Sequence, residues 1–148
     1  MVKNYFPGGI KKPTNEDLLK VALKRGDTEF VSLEYFVKEI IAKEYDENME
    51  KLELTKAIDK VFELLKELDV YVQTHEPFKL IKTDNEKTRI ILWNLCYGAA
   101  GLAWFLTPFL PQTAEKIFDI FGISEKGALE WNNFSAKEHK ALFTRIEK

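Results

Sequence analysis

Few residues in this chain are of a type and spacing that could make or break bonds. The two histidines, His75 and His139, stand far apart without cysteine or carboxylate companions at ligand spacing, so no metal site is expected. Gly8-Gly9 follows a helical pattern rather than a strand, which is the wrong setting for a phosphate-cradling loop. The carboxylates sit on exposed faces, with no recognisable apolar pocket to raise a pKa for acid–base work. Cys96 is the only cysteine and lies in an apolar stretch. It reads as a small buried hydrophobe that forms no internal disulfide and suits a reducing cytoplasm. Catalytic residues, metal and cofactor are therefore all expected to be none.

Binding chemistry is better represented, in residues 69–82, DVYVQTHEPFKLIK. Pro77-Phe78 at a helix break would put a ring on the surface with its backbone stiffened by proline. An unstacked base regains roughly 1–3 kcal/mol by stacking on such a ring, which is how single-stranded RNA is commonly held. Lys79 and Lys82 on the following turn could hold phosphates. A second reading stays open on the residues alone: Phe78 is a staple that packs the short helix onto the rest of the fold.

The elements that must position this stretch are helical. Thr14 with Asp17 three residues on makes a capping-box-like start, and the pattern predicts a helix through Leu18, Leu19, Ala22 and Leu23 to Gly26. Helical spacing of Phe36, Val37, Ile40, Ile41 and Tyr45 predicts another over 33–51. A third over 54–74 carries Ala57, Ile58, Val61, Phe62, Leu65, Leu68 and Val72 on one stripe and charged residues opposite. Pro77 opens a short helix to about Lys82, and Asp84 or Asn85 caps a long one over 86–106. Its second half, LWNLCYGAAGLAWFL, is apolar on nearly every side and should be the central helix, with Gly98 and Gly101 allowing close packing. Pro108 and Pro111 punctuate the chain before a last amphipathic helix over 112–121.

Before and after this bundle the chain is less regular. Residues 1–13 read either as the end of a truncated first helix, stopped at Pro7-Gly8-Gly9, or as a frayed leader. Residues 123–148, with Trp131, Phe134 and Phe143, read as an extended strap docked by aromatic anchors. No period-2 segment of useful length appears, so the expected class is an all-α helical bundle with a C-terminal strap. The 148 residues are taken as one domain: remnant and link 1–13, bundle 14–122, tail 123–148. No run of eighteen apolar residues is present, and no membrane association is expected. A net charge of −2 argues against non-specific phosphate binding as the whole function, so any RNA contact must be local.

Tyr71, five residues, Pro77, an aromatic at Phe78 and then Lys82 resembles the Tyr-x5-Pro-Trp-x3-Lys stretch of the methionyl-tRNA synthetase anticodon-binding domain. The likeness runs in order along nearly the whole chain. NYFPGGIKKP (4–13) resembles the link after that domain's first helix, and EKLELTKAIDKVFELL (50–65) the helix leading into the Tyr-x5-Pro stretch. LTPFLPQTAEKIFDIFG (106–122) resembles its Pro-Phe-x-Pro-x-x-Ala-Glu helix start, a block shared with the leucyl, isoleucyl and valyl relatives. The ending Leu142-Phe143-Thr144-Arg145-Ile146-Glu147 is similar to Leu-Phe-Pro-Arg-Ile-Glu and points to the methionyl branch.

The resemblance implies that the chain reads the anticodon CAU of methionine tRNA, with Phe78 as the stacking residue helped by Pro77, Tyr71, Lys79 and Lys82. Two positions depart from the pattern: the stacking residue is Phe78 rather than Trp, and Asp69 replaces an Asn two positions before the Tyr. The family's Asn-x-x-x-Arg pair would fall before Met1, and its two catalytic signature motifs are not in the sequence. The implied partners are the anticodon loop and the catalytic domain of the same synthetase, an ATP-dependent ligase. The alternative is a free-standing helical protein-interaction module descended from that domain. Truncation of the first helix would expose an apolar groove and favour self-association.

Overall fold

In a computed structural model of the chain, residues 9–25, 29–123, 129, 131 and 133–134 are described. Helices dominate, as expected. Ile10–Lys11 forms β1, and Asn15–Lys20 forms a short helix α1. Thr14 caps α1 as its sequence predicts, its hydroxyl accepting the Asp17 N–H at 3.2 Å. The helix is shorter than expected. It stops at Lys20, and Leu23–Arg25 instead becomes β2, paired antiparallel with β3, Glu29–Val31. The pairing sets Leu23 opposite Val31, and both are buried. Three residues of alternation are too short to be read as a strand, so the helical pattern prevailed in the sequence.

Next, Leu33–Tyr35, a π-helical turn at Phe36–Ile41 and Ala42–Glu50 run on as one helix, α2. Ser32 caps it by accepting the Tyr35 N–H. The wider turn lets Leu33, Phe36, Val37 and Ile41 all face the core. Leu54–His75 forms α3, Pro77–Leu80 the single turn α4, Asn85–Leu106 the central helix α5 and Pro111–Ile120 helix α6. The buried line of α3 is Ala57, Val61, Leu64, Leu68 and Tyr71, spaced three or four apart. Phe62 and Leu65, read on the same apolar stripe, are more than half and about half exposed. That stripe is wider than the core can cover.

Helix α5 is buried on most sides, from Ile90 to Phe105. It is long and apolar enough to cross a membrane by length and composition alone, but two thirds of its apolar window is buried inside the fold, as suits a core helix. Gly98 lets α3 come close: a Cβ there would lie 2.3 Å from Leu68 Cδ2. At Gly101 it would lie 3.2 Å from Val37 Cγ1. Burial holds the Cys96 thiol up at about 12, so it stays protonated in the core.

The tail docks by its aromatic anchors where it is described. Asn133–Phe134 forms β4, antiparallel to β1, with Ile10 opposite Phe134 and both buried. Trp131 packs edge-on to Tyr97 at 5.7 Å, and Phe134 lies 5.8 Å from Trp93. The Tyr97 hydroxyl donates to the Leu129 carbonyl. One core cluster thus runs from Ile10 to Phe134. Phe143 and the residues read as a first-helix remnant before Gly9 lie outside the described residues.

Candidate nucleic-acid interface

The stretch singled out in the sequence forms the corner where α3 ends, α4 turns and α5 begins. Helix α3 closes on Glu76, which adopts a left-handed backbone (φ 45°, ψ 58°) and donates its N–H to the Val72 carbonyl at 2.9 Å. Pro77 follows at the first position of α4, where its missing N–H costs nothing and its fixed φ suits a helix start. The turn leads to Asp84, whose carboxylate accepts the Lys87 N–H at 3.0 Å and caps α5.

This geometry sorts the five candidate residues into two groups. Phe78 is 51% exposed, presenting its ring on the outside of the corner. Lys79 and Lys82 are exposed on the turn that follows it. The Lys79 Nζ lies 5.9 Å from the Phe78 ring centroid and pairs with Glu76 at 3.1 Å. That ion pair is solvent-exposed and weak, so Lys79 can exchange it for a phosphate. Tyr71 and Pro77 are buried and brace the corner from beneath. The Tyr71 hydroxyl accepts from Asn94 Nδ2 on α5 at 2.8 Å, and burial holds the phenol well above its ordinary pKa. Asn94 is fully buried, and its Oδ1 has no hydrogen-bond partner.

Lys87 on α5 and His75, which the sequence pattern marked only as a histidine without metal-ligand companions, complete the corner. His75, half-buried at the end of α3, packs its ring on Tyr71 with centroids 4.4 Å apart. Burial, and then the charge of Lys87 on α5, lowers the imidazole pKa below its ordinary value. The signal was available in the spacing, since Tyr71 and His75 are four apart and share a helix face.

The arrangement has no nucleophile with an adjacent base. Among the described residues no group of three or more His, Cys, Asp or Glu is placed to hold a metal ion. What it offers is an exposed ring on a stiff turn, a lysine beside the ring, a second exposed lysine on the following turn and a buried brace to the central helix. Those are the parts of a single-stranded nucleic-acid platform.

Residues 38–147 match the family described as the anticodon-binding domain of tRNA ligase. A methionine–tRNA ligase of Clostridium acetobutylicum is 29% identical over 150 residues, covering 100% of this chain and 21% of the relative. That of Bacillus subtilis is 27% identical over 158 residues, covering 99% of this chain and 22% of the relative. One of Rickettsia felis is 33% identical over 81 residues, covering 55% of this chain and 16% of the relative. The chain thus spans about a fifth of the length of the curated relatives that it matches throughout.

Proposed function

The chain belongs to the anticodon-binding domain family of tRNA ligases, and from that membership we propose that it recognises the CAU anticodon loop of methionine tRNA. The observation that carries the reading is the half-exposed Phe78 ring, held on a proline-started turn over the Tyr71–Asn94 brace. An anticodon base stacks on Phe78, while Lys79 and Lys82 hold neighbouring phosphates. Tyr71 and Pro77 act from beneath, by fixing the ring's position. All 148 residues serve as one recognition unit, working in the cytoplasm beside a catalytic domain of the same ligase, which supplies the aminoacylation chemistry. The similarity to methionine–tRNA ligases along the whole chain supports the methionyl branch.

Titration of a methionine anticodon hairpin against the Phe78→Ala variant tests the stacking role. Loss of one stacked base should weaken binding by roughly 1–3 kcal/mol, about 5- to 150-fold. Equal affinity for the two proteins would remove Phe78 from the interface.

A second contact belongs to the same proposal. On the other half of α3, an apolar groove of about 720 Å³ runs between α3, α5 and α6. Ile58, Phe62, Leu65, Leu102, Leu106 and Phe109 are among the residues that line it. Free in water, such a groove favours pairing with a second copy of the chain. The free-standing interaction module weighed as an alternative is not favoured, because the family match covers most of the chain.

A further inference from the structure

We infer that His75 is a base-reading residue of this interface, its imidazole hydrogen-bonding the edge of an unpaired base next to the one stacked on Phe78. The inference rests on the anticodon-binding reading above, and it adds a residue that the family resemblance does not supply.

Position comes first. His75 is the last residue of α3 and stands three residues before Phe78, across the left-handed turn at Glu76. Its ring is held in place: it packs on Tyr71 at 4.4 Å, and Tyr71 is fastened to Asn94 on the central helix at 2.8 Å. A ring braced in this way loses little freedom when it makes a hydrogen bond. It is only half-buried, so part of it faces outward at the corner.

Chemistry decides what it can bind. Burial and the neighbouring Lys87 disfavour a proton on the imidazole, which is therefore neutral near pH 7. A neutral imidazole presents one N–H donor and one nitrogen acceptor. A phosphate carries only acceptors and is better served by Lys79, Lys82 and Lys87, all exposed at the same corner. A base edge carries donors and acceptors together, and reading it is what separates one sequence from another.

The test measures binding of the full chain to a CAU hairpin and to hairpins with single loop substitutions. His75→Phe keeps an aromatic ring against Tyr71 but removes both polar atoms, and His75→Gln restores a donor and an acceptor. His75→Phe should lose about 2- to 10-fold of the preference at one loop position, the worth of a single hydrogen bond. His75→Gln should recover much of it, with melting temperatures confirming that both variants fold. Unchanged preference ratios in His75→Phe would overturn the inference. A uniform loss across all hairpins, marking a phosphate contact, would also overturn it. If the wild type shows no preference among hairpins, the anticodon reading fails first and takes this inference with it.

Discussion

A ring exposed on a surface and a ring buried beside it answer to different energies, and the corner at Phe78 contains both. Phe78 is 51% exposed, so the core does not depend on it. Tyr71, seven residues earlier, is 2% exposed, and its hydroxyl is the partner of a fully buried Asn94 side chain. Tyr71→Phe leaves Asn94 buried with neither polar atom paired, which should cost about 1–3 kcal/mol of stability. A thermal melt checks this, and an unchanged melting temperature would mean that water replaces the lost partner. The sequence motif identified both residues but could not say which faced out. Spacing marks the residues of a motif, and only the turn geometry divides them into contact and brace. His75 read in the sequence only as a histidine without ligand companions, because its neighbour Lys87 is brought back by α5 from twelve residues further along the chain.

Helix starts were the most legible features, since each is set by local chemistry. Thr14, Asp84, Pro77 and Pro111 all stand at or beside helix starts in the structure. The pairing of β2 with β3 was not legible, because its stability comes from burying Leu23 against Val31 across the two strands and not from a local preference. The link between α3 and α4 stores strain at Glu76, a non-glycine residue at φ 45° directly before proline. Glu76→Gly removes the side chain that resists this conformation. It should stabilise the chain by about 0.5–1 kcal/mol in a denaturant melt, the lost Lys79 ion pair being exposed and of little weight. A loss of stability would show that the Glu76 side chain anchors the turn.

On the scale of the whole molecule, two surfaces lie at opposite halves of the α3–α5 pair. One is the polar corner around Phe78, and the other is the groove around Phe62 and Leu65. The all-α class and the central place of α5 were legible because thirteen of its residues are buried and all of them but Thr88 and Asn94 are apolar or glycine. The groove was only partly so: the wide apolar stripe on α3 was visible, but which half stayed uncovered depends on where α5 and α6 pack. Leu65→Glu places a charge in the groove and should shift light-scattering mass toward the monomer while leaving hairpin binding within about twofold, since distant sites act nearly independently. A wild type that stays monomeric at every concentration would remove the second-copy contact and leave the RNA corner untouched.

We propose that this fold reads an anticodon loop rather than any polyanion. With a net charge of −2 the chain has little non-specific attraction for RNA, so discrimination should survive at physiological salt. The most direct measurement titrates the wild-type chain with a methionine anticodon hairpin and with a hairpin of the same stem and a scrambled loop. A clear preference for the CAU loop, held as salt is raised, is the predicted result. Equal binding to both loops, or none to either, would contradict it.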